Sequence, residues 1–235
     1  MIILVPFFGD RARVRPLLDR WIEAYKRSGT RAPWYALSDS PETYDLPSAR
    51  VDPSEYAEAV RPGQPFDVKG ALVCAAIRKY PEPLLVLDAD AFLARDPRDT
   101  LALFWDAPIA MPRDHGALMH DRLPRLSAPY AGVPKLCAGV QWFGAATEHA
   151  RVGLAAGYRR AHAELLALPR LPWSPPLAHL VEQYAWTLAA SRAGGKVLPV
   201  TMNWAPHFLG RSEHAVVNHH FGVRKWATTP GRSPG

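Results

Sequence analysis

The chain has 235 residues, 48% of them hydrophobic, enough for one large α/β domain with a sizeable core, and no apolar stretch approaches the roughly 20 residues needed to cross a bilayer. Its two cysteines, Cys74 and Cys137, are too few for a disulfide framework and too far apart for a zinc ribbon or a CxxC redox pair, so both are expected to be reduced and buried. The net charge of +6 suits an anionic partner such as a nucleotide, an acidic lipid surface or nucleic acid, although 22 of the 28 basic residues are arginines scattered along the chain.

The apolar start from Met1 to Phe8 has no basic segment before it and no small-residue cleavage site after it. It reads as a first strand, Ile2 to Phe8, and not as a signal peptide, and a cytoplasmic protein, at most peripheral to a membrane, is expected. A helix follows in which Leu17, Leu18, Trp21, Ile22 and Tyr25 recur at helical spacing, with Pro16 suited to its first turn and Gly29 to its end. Trp34 to Leu37 reads as a short strand, Ser38 to Gln64 as a polar, Pro-rich surface stretch with one short element, and Val68 to Tyr80 as a buried helix. Strands are expected over the run Leu84 to Asp90, which carries both aspartates, and at Ile109 to Met111, Ala138 to Phe143 and Lys196 to Val200. Between them lie an Ala-rich helix from Thr147 to Leu168, opened by a Thr cap, and a helix whose stripe Leu177, Leu180, Val181, Tyr184, Ala185 and Leu188 stops at Gly194 and Gly195. This alternation predicts a mixed, mainly parallel sheet flanked by helices on both faces, in a single domain over residues 1–226 with a loose tail at 227–235.

The run Leu84-Leu-Val-Leu-Asp-Ala-Asp90 is the feature that speaks of chemistry. A buried strand that ends in polar groups puts them at the carboxyl edge, where open α/β sheets bind ligands. Side chains two apart on a strand share a face, so Asp88 and Asp90 could reach one hard divalent cation whose other oxygens come from a diphosphate. Taken alone, an Asp-x-Asp at a strand end also fits turn and cap chemistry.

Four blocks in this order resemble the GT-A-fold nucleotide-sugar glycosyltransferases with a D-x-D motif, most nearly glycosyltransferase family 8. They are Leu84 to Asp90 with Ala91-Phe92-Leu93, Cys137-Ala138-Gly139-Val140, Glu182-Gln183, and His219-His220-Phe221-Gly222-Val223-Arg224-Lys225-Trp226. The resemblance implies a Rossmann-like GT-A domain. It implies His219 as a third metal ligand beside Asp88 and Asp90, and Lys225, in the block that carries Gly222, as the contact to the donor diphosphate. A donor set of carboxylates and one imidazole suits Mn²⁺, or Mg²⁺, better than Ca²⁺ or a thiolate-loving ion. By the same likeness Pro6, Phe7 and Phe8 line the nucleotide base, Asp39 bonds base or ribose, Lys69 faces the nucleotide or the metal carboxylates, and Glu182 and Gln183 hold the donor sugar. Where the family has Asn-Ser-Gly-Val and Asp-Gln, this chain has Cys137-Ala138-Gly139-Val140 and Glu182-Gln183.

The implied activity is transfer of a sugar from a nucleoside diphosphate donor, a UDP-sugar, to a hydroxyl on a glycan, a lipid-linked molecule or another acceptor. Retention of anomeric configuration follows from the likeness alone; an inverting enzyme would need a carboxylate base, for which Asp114 or Glu182 could serve. A nucleotidyltransferase would also use paired carboxylates, but no Gly-rich phosphate loop follows the first strand. A catalytically silent binding protein that kept the nucleotide pocket is the third reading. Segments Arg113 to Pro134 and Leu168 to Pro176 suit acceptor loops, and no aromatic-interleaved basic module favours a nucleic-acid acceptor.

Overall fold

The computed structural model describes residues 1–7, 11–38, 47, 51, 54, 65–114, 133, 136–167, 178–209 and 211–220. Six strands form one sheet in the order β2-β1-β3-β6-β5-β7: β1 Ile2–Pro6, β2 Trp34–Leu37, β3 Leu84–Leu87, β5 Ala110–Pro112, β6 Val140–Phe143 and β7 Lys196–Leu198. β1 runs parallel to β2 and β3, β5 runs parallel to β7, and β6 is antiparallel to both its neighbours. The expected mixed, mainly parallel sheet is therefore what forms. Every residue of β1 and β3 is buried, because helices cover both faces and an alternating pattern would leave polar groups inside.

One face packs against α2 (Pro65–Lys79), α4 (Glu148–Leu166) and α5 (Ala178–Arg192), with Leu72, Ile77, Val86, Phe143, Tyr158 and Trp186 in its core. Tyr158 stacks on Trp186 at 4.4 Å between ring centroids. The other face packs against α1 (Arg11–Ser28) through Leu17, Leu18 and Trp21. At the back of the sheet the guanidinium of Arg151, buried on α4, donates to the carbonyls of Tyr80, Pro81, Glu82, Gly144 and Ala146, which satisfies the chain between α2 and β3 without a carboxylate partner. Thr147 caps α4 as expected, its hydroxyl accepting from the Ala150 N–H at 3.2 Å.

Two expectations need correction. α1 begins at Arg11, so Pro16 sits in the second turn and not the first. Its missing N–H and ring clash cost about 3 kcal/mol, and burial of Leu17, Leu18 and Trp21, at roughly 1.5–3 kcal/mol for each large apolar side chain, outweighs that. Gly29, with φ of 72°, closes the helix where a left-handed residue is needed. The strand expected to reach Val200 ends at Leu198, because Pro199 has no N–H for the ladder and a 3-10 helix, Val200–Asn203, starts straight after it. The short helices α3 (Arg98–Ala102) and α6 (Pro206–Leu209) are too brief to leave a periodic signal.

A second sheet, of two strands, was not foreseen. β4 (Ala91–Leu93) leaves the D-x-D turn and pairs antiparallel with β8 (Val217–His219) in the register Ala91 to His219, Phe92 to Asn218 and Leu93 to Val217. Trp21 Nε1 on α1 donates to Ala91 O at 3.2 Å, and the Ala94 N–H bonds Val216 O at 2.9 Å. Among the described residues no helix is long and apolar enough to cross a membrane.

Gly70 on α2 is the point of closest approach to α4, where a Cβ would overlap the hydroxyl of Tyr158, itself locked against Trp186. Gly70→Ala is expected to destabilise the protein by about 1–3 kcal/mol through overpacking, read as a lowered thermal midpoint. A second change that shortens Tyr158 should restore part of the loss.

Candidate metal centre

β3 stops at Leu87 because Asp88, though its N–H still reaches across toward β6, turns its carbonyl back into the chain that follows. The Asp88 N–H donates to Gly139 O at 2.8 Å, and Asp88 O accepts from the Ala91 N–H at 2.8 Å. Asp88, Ala89 and Asp90 thus lie in a turn between β3 and β4, so strand alternation is not what brings the two carboxylates together. The turn folds Asp90 back toward Asp88, and β8 then sets the third group beside them. The His220 N–H bonds Asp90 O at 2.9 Å, the His219 N–H bonds Trp204 O at 2.8 Å, and His219 Nε2 comes to 3.3 Å from Asp90 Oδ1.

Asp88, Asp90 and His219 each offer one ligand atom, and the three atoms lie within 4.8 Å of one another. Gly139 is the floor of this cluster: a Cβ there would overlap His219 Cε1 and stand 2.9 Å from both Asp88 Oδ2 and His219 Nε2. A hard divalent cation fits such a donor set, two carboxylate oxygens and an imidazole nitrogen on a side-chain-free base.

The imidazole is oriented from behind. Asn203, fully buried at the end of the 3-10 helix, accepts from His219 Nδ1 at 2.8 Å and donates through Nδ2 to Arg113 O at 3.2 Å, which settles its amide orientation and puts a proton on Nδ1. Nε2 is then the nitrogen turned to the carboxylates. Cys137 Sγ lies 3.8 Å from the same Nδ1, and the cysteine is free and buried, as expected. Burial alone would lower the basicity of His219; hydrogen bonds with Asp90 and Cys137 outweigh it and hold the pKa up at about 10.

Lys69 reaches into the centre from α2. Its Nζ is 2.7 Å from Asp88 Oδ1, 3.4 Å from Glu182 Oε1 and 3.0 Å from Ala138 O, to which it donates. Of the two roles expected for Lys69, the structure displays the contact with the metal carboxylates. Burial opposes its charge, and Asp88 and Glu182 together more than restore it, raising its pKa. Glu182 lies in the second turn of α5, 2% exposed and behind Lys69, so it forms no part of a solvated helix face. Burial first, then repulsion from Asp88 and Asp67, push its carboxyl up to about 7 against the pull of Lys69. Lys69 and Glu182 meet at a charge-contact distance, yet Oε1 accepts no hydrogen bond among the described residues, so we treat the contact as coulombic.

The neighbouring Gln183 is half-buried and donates through Nε2 to Asp114 Oδ2 at 2.8 Å, just past the end of β5. Pro6 closes β1 opposite Leu37; the Phe7 N–H bonds Leu37 O at 3.1 Å, and its ring belongs to the core on the α1 side. Phe8, Asp39, Gly222, Lys225 and Trp226 lie outside the described residues, as do the segments 115–132 and 168–177. Sequence reasoning missed Asn203, whose one signal is an amide inside the otherwise compact run Val200-Thr-Met-Asn-Trp204, and it missed that Gly139 serves the metal cluster.

No protein-family model and no curated protein sequence matches the chain. Solved structures do. Mouse xyloside xylosyltransferase 1 in its apo form superposes with a TM-score of 0.58 at 13% identity, over 94% of this chain and 96% of that one. An active-site mutant of LgtC superposes with a TM-score of 0.53 at 13% identity, over 94% and 88%. The galactosyltransferase LgtC in complex with donor and acceptor sugar analogues gives 0.52 at 14% identity, over 94% and 87%. At such identity the likeness is one of fold, and the fold is that of the GT-A glycosyltransferases, with Asp88-Ala89-Asp90 fitting its D-x-D motif.

Two outcomes are expected at this centre. Gly139→Ala should abolish binding of a divalent cation at this cluster, probed with Mn²⁺ through the electron paramagnetic resonance of the free ion, while the far-ultraviolet circular dichroism stays that of the parent. Asn203→Leu should weaken Mn²⁺ affinity by about 10–100-fold, the usual effect of removing the group that orients a ligating histidine.

Proposed function

We propose that the protein is a metal-dependent glycosyltransferase that moves a sugar from a nucleoside diphosphate sugar, a UDP-sugar, to an acceptor hydroxyl with retention of configuration. The observation that carries this reading is the convergence of Asp88, Asp90 and His219 over Gly139 at the carboxyl edge of a GT-A fold. The names of the similar solved structures, a xylosyltransferase and a galactosyltransferase held with donor and acceptor sugar analogues, support the same class of reaction.

In this reading Asp88, Asp90 and His219 hold one divalent cation, Mn²⁺ or Mg²⁺. When bound, the cation supplies Lewis-acid neutralisation of the charge that builds on the leaving diphosphate. Lys69 pairs with Asp88 and aims it, and Lys225 in its Gly222-containing block assists at the diphosphate. Pro6 and Asp39 take the nucleoside end, with the Phe7 ring packed in the core beneath. Gln183, half-buried and steadied by Asp114, is the better placed of the pair to meet the sugar, while the buried Glu182 acts on it through Lys69. Acceptors consistent with the basic charge are glycans and lipid-linked molecules.

The test is a panel of UDP- and GDP-sugars screened by thermal shift with and without Mn²⁺, followed by donor hydrolysis and transfer. The parent should gain most stability when metal and one donor are both present, and should then turn that donor over. Asp88→Ala, Asp90→Ala and His219→Ala should each lose the metal-dependent gain; three variants that respond like the parent would refute the site. Below about 10 a cation must displace the proton on His219, so the parent's apparent Mn²⁺ affinity should rise with pH. Turnover of nucleoside triphosphates with pyrophosphate release would instead identify a nucleotidyltransferase, and binding without turnover a silent nucleotide-binding protein.

A further inference from the structure

Gln141 stands in the middle of β6 with no exposed surface, and neither the nitrogen nor the oxygen of its amide has a hydrogen-bond partner among the described residues. The same holds for Trp186 Nε1 and for Glu182 Oε1, on side chains that are 0% and 2% exposed. Buried polar groups are paired in roughly nine cases out of ten, so four such atoms need a common explanation if they share one place.

They do share one. Side chains alternate along β6, which puts Gln141 on the same face as Phe143, toward α5, with Val86 as its cross-strand neighbour. Glu182 and Trp186 are four residues apart on α5 and so lie on one side of it. Two contacts align the strand with the helix. At one end Lys69 Nζ joins Ala138 O at 3.0 Å to Glu182 Oε1 at 3.4 Å; at the other the rings of Phe143 and Trp186 meet at 5.7 Å. Gln141 falls between these fastenings, facing the stretch of helix bounded by Glu182 and Trp186.

We infer that ordered water occupies the space between β6 and α5 and bridges the Gln141 amide to Glu182 Oε1, with Trp186 Nε1 as a further donor. The chemistry is complementary: an amide with donors and an acceptor, a carboxylate oxygen and an indole N–H offer the two to four partners that a buried water requires. Gln141 thereby becomes a positioning residue. Through water it holds Glu182, which contacts Lys69, which in turn holds Asp88. The water itself rests on the fold and on burial alone; only the last link, to Asp88, draws on the proposed function.

The sign of one stability change decides between a hydrated and a dry interior. Replacing a buried amide that bonds nothing with an apolar side chain of similar length removes an uncompensated desolvation cost and stabilises the protein, whereas replacing a water-bridged amide strips the buried water of its bonds to that amide and destabilises it. Gln141→Met is expected to lower the thermal midpoint by about 2–4 °C, and an unchanged or raised midpoint overturns the inference. A high-resolution crystal structure of the parent decides the matter where the variant does not fold. Water within hydrogen-bonding distance of both Gln141 and the Glu182 carboxylate supports the inference, and a dry gap or a direct bond between them overturns it. Neither measurement needs donor or activity, so its failure is separate from a failure of the glycosyltransferase reading.

Discussion

The pairing of Ala91 with His219 across β4 and β8 is the interaction on which the centre depends. Asp88 and Asp90 are local to each other, and the hydrogen-bonded turn between β3 and β4 brings them together. The imidazole is about 130 residues away along the chain, and only a strand-to-strand register can put it in contact with them. A shift of one residue would send His220 to the carboxylates and His219 away, because side chains alternate. The register is held on both sides: Trp21 anchors Ala91 O from α1, and Trp204 O accepts the His219 N–H from behind. His220 instead turns its ring toward Phe92, 5.5 Å between centroids.

A second constraint is charge. Asp88, Asp90 and Glu182 gather at a largely buried site, and carboxylates taken out of water repel and protonate unless something compensates. Lys69 does so from within the fold for Asp88 and Glu182, and His219 does so for Asp90. The second of these is the one a cation can replace, since Nε2 can give up its proton while Nδ1 stays bonded to Asn203. The geometry therefore separates a permanent positive group from an exchangeable one. Cys137 bears on the same imidazole from beside Asn203.

The resemblance had offered Glu182 and Gln183 as a pair, and the helix separates them. Residues one apart on a helix point about 100° from each other, so one side chain turns inward to Lys69 and the other toward Asp114. Local spacing alone could not have said which was which. The same holds for Asp88 and Asp90, whose two-residue spacing suggested a shared strand face. The strand ends one residue too early for that, and a hydrogen-bonded turn achieves the convergence by another route.

What the sequence determined by itself was the run of buried strands and amphipathic helices, the parallel character of the sheet around β1 and β3, and the two aspartates at its carboxyl edge. These are set by short-range pattern: continuous apolar runs, helical spacing, a Thr cap and glycines at helix ends, all of which act over a few residues. What only the tertiary structure decided was the β4 to β8 register, the glycine floor under the ligands, the amide behind His219 and the burial of Glu182 against Lys69. Each of these is a contact between distant segments, and a three-residue strand or a single buried amide carries too little pattern to announce its partner before the chain has folded.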